Sequence, residues 1–127
     1  MPDSAVSIVV FAASGVLLAW GIAHILPTRN VVRGFGDISR DNRLVVIQTW
    51  VGEGLTLCFV AVLASLTMIM NPTAALAAAV RFACALILLL FAAWHWLTGS
   101  RTPVVPMRVC PFVLSAVAGA YLLSVLL

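Results

Sequence analysis

The sequence contains no lysine, and only 9% of its 127 residues are charged. Soluble domains carry about 25% charged residues. A soluble fold of this length cannot hide so apolar a composition inside itself, so the surplus apolar surface must face lipid. Cysteine is scarce too: Cys58, Cys84 and Cys110 are odd in number and show no CxxC spacing, which argues against both a disulfide framework and a zinc site. A nucleophile–base arrangement, a phosphate-binding loop and a dinucleotide fingerprint are all missing. The glycine pairs in GFG and GEG do not sit between a strand and a helix, so they carry no nucleotide signal. The excess of arginine gives a net charge of +3, yet no nucleic-acid-binding motif accompanies it, and a nucleic-acid partner is not expected. Basic residues that are all arginine point to a GC-rich, bacterial gene.

What is present is hydrophobic. The composition is 64% apolar and the mean hydropathy is +1.19. Four apolar runs, at about 5–26, 40–70, 73–97 and 107–127, each reach the roughly 20 residues that cross a bilayer as a helix. The opening MPDS lacks the basic stretch of a secretory signal, so the first run is expected to stay as a span. Ser39 is the expected N-cap of the second span, with Asp41 in its first turn. Asn71-Pro72 is expected to form a tight turn, with Thr73 capping the third span. The segment PTRNVVRGFGDIS between the first two spans reads as a polar loop, and TGSRTPVVP connects the last two.

Arg29, Arg33, Arg40 and Arg43 flank the first connection, and Arg101 and Arg108 flank the third. The N-terminus, the Asn71 turn and the C-terminus carry none. The positive-inside rule makes the arginine-bearing side cytoplasmic, with both termini on the other side. The expected fold is an all-α integral membrane protein, one domain over 1–127, with four transmembrane helices in an up-down bundle. The expected location is the bacterial inner membrane, as a multi-pass protein among membrane lipids, alone, as a homo-oligomer or in a larger membrane complex.

Polar residues inside such spans are costly and mark sites. Glu53, about 13 residues or roughly 20 Å from Arg40, reads as lying near mid-bilayer. Such a carboxylate is paired, protonated or open to a water-filled cavity. At helical periodicity Thr49, Thr56, Ala64 and Thr67 share its face, and Trp50 lies near it. Arg81 shares a face of the third span with Ala77, Ala85, Ala92 and His95. With the second and third spans folded at Asn71, Glu53 and Arg81 are about 13 Å apart along the axis, too far to pair. Glu53 and His95 differ by about 7 Å and lean toward each other, because helical side chains tilt toward their own N-terminus. Glu53–His95 is therefore the expected polar pair.

Glu53, His95, His24, Arg81, Trp50, Thr49 and Thr56 are the candidates for binding a ligand or a proton. Arg81 is expected to lean toward the outer surface, away from Glu53, either snorkelling along its stem or capping a carbonyl in the bundle, with anchoring of an anionic ligand or lipid headgroup as its functional alternative. His24 and His95 at matched depth raise the question of a haem or metal. With no spacing motif, no metal and no cofactor are assigned, and an aromatic belt of Trp20, Trp50, Trp94 and Trp96 is the simpler account. In the first connection Arg33, Asp37, Arg40, Asp41 and Arg43 are candidates for pairing with one another or holding a headgroup phosphate, with Gly34 and Gly36 allowing unusual backbone angles. Ser115 and Gly119 in the last span read as a small-residue packing contact.

In length and span count the chain resembles small multidrug transporters and DoxX-like four-helix membrane proteins. The carboxylate of small multidrug transporters is sought in the first span, whereas Glu53 is in the second, and no motif matches residue by residue. The leading expectation is a non-catalytic accessory subunit, or a binder of a lipid or quinone-like apolar ligand with a polar site around Glu53. The alternatives are an oligomeric proton-coupled transporter using Glu53, and a membrane redox or enzyme subunit using His24, His95 and Glu53.

The arginine distribution generates a test. In intact cells an impermeant thiol reagent should label Asn71→Cys and spare Asp37→Cys and Arg101→Cys, with the wild-type chain as background. Labelling at position 37 from outside would reverse the orientation.

Overall fold

A computed structural model describes residues 2–71 and 73–127. Its long helices are α1 (Pro2–Ile25), α3 (Arg40–Met70), α4 (Ala75–Leu97) and α5 (Val105–Leu126). All four are long and apolar enough to cross a membrane. A short helix α2 (Thr28–Gly34) and a 3-10 turn at Gly99–Arg101 complete the described helical elements. Contacts between the long helices show how they run. Trp50 meets His24 and Cys58 meets Leu18, so α1 and α3 are antiparallel. Glu53 meets His95 and Thr67 meets Arg81, so α3 and α4 are antiparallel. Ser14 bonds Tyr121 and Trp20 bonds Cys110, so α1 and α5 are antiparallel as well. The result is an up-down bundle, and Arg29, Arg33, Arg40, Arg43, Arg101 and Arg108 all gather at the end where α1 and α4 finish.

The helix limits follow local chemistry, with three departures from the sequence reading. Ser39 caps α3 as expected, its hydroxyl accepting from the Asn42 amide at 3.2 Å, with Asp41 in the first turn. Thr73 does not cap α4: Ala74 is the N-cap, without a side-chain bond, and the Thr73 hydroxyl turns back to Asn71 Oδ1. Pro72, assigned to that turn, lies outside the described residues. The first connection is not wholly loop. Thr28–Gly34 winds into α2 because Pro27 supplies a helix-compatible φ of −82° and its carbonyl accepts from the Asn30 and Val31 amides. Gly36 then turns the chain with φ +67°, a conformation that favours glycine. The last helix starts at Val105, earlier than the 107 expected, with proline in its first turn, where the missing N–H costs nothing.

The packing places small residues inside and many large ones outside. Ala13, Ala61, Ala64, Ala85, Ala92 and Ala118 are buried, whereas Phe11, Phe59, Phe82, Leu90 and Phe112 are exposed on the outer faces. Close approach and hydrogen bonds between helices are the contacts that hold a bundle together where the surroundings are as apolar as leucine. Leu17, Leu57, Leu88 and Leu114, one from each long helix, are fully buried and tie the centre together. The expected small-residue contact of α5 is different: Ser115 and Gly119 are exposed, and a Cβ built on Gly119 meets nothing within 4 Å. The closest approach belongs instead to α1 and α3. A Cβ on Gly21 would lie 2.7 Å from Cys58 Sγ and 2.9 Å from the Gly54 carbonyl, and one on Gly54 would lie 3.0 Å from the Gly21 carbonyl.

Two crossing glycines with backbone against backbone leave no slack. Gly21→Ala and Gly54→Ala are expected to cost about 1–3 kcal/mol each through overpacking. Gly15→Ala and Gly119→Ala, which open onto free space, should be neutral or stabilising by up to about 1 kcal/mol from helix propensity. Reversible unfolding in mixed micelles measures all four. Equal effects at the four positions would remove the close contact from the account.

Candidate functional site

Four side chains that carry ligand-type atoms converge near the arginine-bearing end of the bundle. His24 is the penultimate residue of α1, His95 lies two residues before the end of α4, and Cys110 is in the second turn of α5. Glu53 lies 13 residues into α3, whose first turns reach beyond the other helices. The acid is thus level with the ends of α1 and α4, rather than near mid-span as its count from Arg40 suggested. The directional lean of helical side chains brings the groups together. The two histidines lean inward from the ends of α1 and α4, while Glu53 and Cys110 lean back toward the same end from deeper positions.

Glu53 is the hub. Its Oε1 lies 2.7 Å from His95 Nε2, and its Oε2 lies 3.8 Å from His24 Nε2. Both histidines are buried, and the Glu53 side chain is 25% exposed. His95 Nδ1 is 2.8 Å from the Phe91 carbonyl. A carbonyl only accepts, so this bond puts a proton on Nδ1 and leaves Nε2 to face the carboxylate. Two lone pairs cannot face each other at 2.7 Å, so a proton or another cation must sit between Nε2 and Oε1. The His24 ring stacks on Trp50 with centroids 4.1 Å apart, and the Trp50 indole N–H donates to the His24 carbonyl at 2.6 Å. Ring and backbone of His24 are therefore both held by one residue of α3. Even so, His24 Nε2 is buried without a hydrogen-bond partner among the described residues.

Cys110 completes the cluster, although its sequence context gives no sign of such a role. Its Sγ accepts from the Trp20 indole N–H at 3.4 Å. Ligand-type atoms of Glu53, His95 and Cys110 all lie within 4.8 Å of one another. The one signal that points to it is a hairpin count across the α4–α5 connection, which sets the last turn of α4 against the first turns of α5. The two histidines both face the Glu53 carboxylate, each toward a different oxygen.

Beside the cluster lies a cavity of about 490 Å³ between the end of α1, α2, Trp50 and the start of α5. Trp20, Ala23, Val31 and Met107 form apolar walls, and His24 and Cys110 supply polar atoms.

The remaining candidates lie elsewhere. Thr49 is exposed and bonds back to the Val45 and Val46 carbonyls, and Thr56 bonds back to Gly52, so neither reaches Glu53. Trp94 and Trp96 face outward, leaving only two of the four tryptophans at this level in contact with the cluster. Arg33, Asp37, Arg40, Asp41 and Arg43 are exposed, and no ion pair forms among them in the described residues. Charges so exposed gain little from pairing. Arg81 leans away from Glu53, toward the opposite end of the bundle, as its helix direction implies, and it meets a carbonyl inside the bundle rather than snorkelling out. It is 3% exposed, with its guanidinium donating to Thr67 Oγ1 at 3.3 Å and to the Ser124 carbonyl at 3.5 Å, so it clamps α3, α4 and α5 near the opposite end.

The geometry separates the two buried charges. In unfolding measurements Glu53→Gln and His95→Gln should be coupled by at least about 0.6 kcal/mol, the typical strength of an interhelical hydrogen bond in a membrane. Glu53→Gln and Arg81→Met should add to within about 0.5 kcal/mol, as distant sites do. Additivity of the first pair would dissolve the proposed hub. No protein-family model, curated protein or solved structure matches the chain, so the reading of this site rests on its own geometry.

Proposed function

We propose that the protein is a non-catalytic integral membrane protein of a bacterial inner membrane, its arginine-bearing end in the cytoplasm, that binds a lipid-borne apolar molecule with a polar head. A quinone-like compound is the ligand class that fits best. The observation that carries this reading is the cavity of about 490 Å³, apolar along its walls and bordered by His24 and Cys110. That volume falls in the range of about 300–1,000 Å³ typical of small-molecule sites, and an apolar wall with a few convergent polar groups is their usual composition. Trp20 and Trp50 offer flat faces against which a ring can stack. At the polar border, His24 and Cys110 offer hydrogen-bonding partners to a head-group carbonyl or hydroxyl. A ligand with a hydrocarbon tail reaches such a site from the bilayer, with the tail among the exposed apolar side chains.

Because Trp20 and Trp50 line the cavity, a short-chain quinone should quench tryptophan fluorescence saturably in mild detergent. Ala23→Phe fills the cavity from α1 and should weaken this binding at least about tenfold, a loss of about 1.4 kcal/mol, while leaving thermal unfolding in the absence of ligand unchanged. At a concentration about 100 times its Kd the quinone should stabilise the wild-type chain by about 2.7 kcal/mol. Quenching that never saturates, or that is the same in Ala23→Phe, would refute the reading.

A further inference from the structure

We infer that His24, Glu53, His95 and Cys110 form a binding site for one divalent late first-row transition-metal ion, with Zn²⁺ as the reference ion, held between all four long helices. Each helix supplies one donor: α1 the imidazole of His24, α3 the carboxylate of Glu53, α4 the imidazole of His95 and α5 the thiol of Cys110. The ligand-type atoms of three of them lie within 4.8 Å of one another, and His24 Nε2 is 3.8 Å from the second oxygen of Glu53.

Tetrahedral Zn²⁺ binds nitrogen and oxygen at about 2.0–2.2 Å and sulfur at about 2.3 Å, which sets its ligand atoms about 3.3–3.8 Å apart. One Glu53 oxygen binds such an ion: the His95 contact of 2.7 Å to Oε1 has to open by about 0.6 Å, and the carboxylate has to turn so that the same oxygen lies within that range of His24 Nε2, which now stands 3.8 Å from Oε2. Three further observations favour a cation. His24 Nε2 is buried with no hydrogen-bond partner among the described residues, although Glu53 Oε2 is the oxygen facing it. An ion between them gives both atoms a partner. The bond from His95 Nδ1 to the Phe91 carbonyl fixes the tautomer that presents the Nε2 lone pair, which is how a metal-ligating histidine is usually oriented. The Trp20 indole N–H donates to Cys110 Sγ, the kind of outer bond that supports a thiolate ligand.

Charge balance makes the same argument. An isolated ion is costly inside an apolar bundle. A dication with one carboxylate and one thiolate is neutral as a unit, the two imidazoles adding no charge. Cys110 gives up its thiol proton to solvent as the metal–sulfur bond forms, and any proton shared between His95 and Glu53 leaves in the same way. The donor set also sorts among ions: imidazole with thiolate suits Zn²⁺, Co²⁺ and their neighbours, whereas Mg²⁺ and Ca²⁺ require oxygen shells. The inference rests on the donor geometry and not on the proposed ligand, although His24 and Cys110 also border the cavity.

The test is a titration of the purified full chain, stripped with a chelator, with Co²⁺ alone. The expected result is one equivalent bound, with the visible bands of four-coordinate Co²⁺ and a near-ultraviolet thiolate-to-cobalt band, both displaced by one equivalent of Zn²⁺. Cys110→Ser should lose the thiolate band and bind at least tenfold more weakly. His24→Gln should also weaken binding at least tenfold, while Cys58→Ser and Cys84→Ser should match the wild type. Ala23→Phe should still bind Co²⁺, so the metal site and the quinone-like cavity stand or fall separately. Unfolding on stripping that Co²⁺ or Zn²⁺ reverses would also support the site. If variants fold poorly, the wild-type spectrum and the protection of Cys110 from a thiol reagent by Zn²⁺ decide. No uptake of Co²⁺ at micromolar concentration by wild-type chain, uptake without a thiolate band, or uptake unchanged in both Cys110→Ser and His24→Gln would overturn the inference.

Discussion

An acid placed in an apolar four-helix bundle has to be satisfied by the protein itself, and that need organises this molecule. Glu53 meets it through His95 at 2.7 Å and His24 at 3.8 Å, so three helices must arrive at the same level with the right faces inward. The alternative, an unpaired carboxylate away from water, costs far more than any single packing contact returns. The supports around Glu53 follow from this requirement. Trp50 holds His24 by its ring and its backbone carbonyl, and the Phe91 carbonyl holds His95. Cys110, brought in by α5 and tied to Trp20, closes the fourth side.

Such convergence requires α1 and α3 to approach closely, and the glycine pair makes that possible. Gly54 follows Glu53 directly, and its backbone lies against that of Gly21, three residues before His24. The contact that brings the two helices together therefore sits beside the residues that need to meet. Toward the other end the bundle is held by different means: the Ser14–Tyr121 hydrogen bond at 2.9 Å joins α1 to α5, and Arg81 joins α4 to α3 and α5. The two ends thus have different characters. One is a clamp with its donors turned into the bundle. The other is a cluster of titratable and ligand-type groups beside a cavity of about 490 Å³.

The pairing of Glu53 with His95, and the separation of Glu53 from Arg81, are legible in the chain itself. Both follow from the rise of about 1.5 Å per residue and the lean of helical side chains, applied to a hairpin folded at Asn71. The place of Thr49 and Thr56 is not legible there. A shared helical face says only that residues are near one another along a stripe, and both hydroxyls satisfy themselves on their own backbone. The partners of Arg81 are hidden for a related reason. Its acceptors, Thr67 and the Ser124 carbonyl, belong to two other helices, so in one dimension snorkelling outward and capping a carbonyl in the bundle both stay open.

By itself the sequence determined the helical class, the four apolar segments and the arginine asymmetry, because these depend on run length, composition and charge order along one chain. It also marked Glu53, His24 and His95 as residues that an apolar segment carries only for a reason. The tertiary structure alone decided that Gly21 and Gly54 form the close crossing while Ser115 and Gly119 do not. It alone brought Cys110 to the Glu53–His95 pair and opened a cavity beside them. The physical reason is that spacing within a helix fixes a face. Which faces meet, how closely and at what height is set by packing between helices, and four donors on four helices have no spacing to be read.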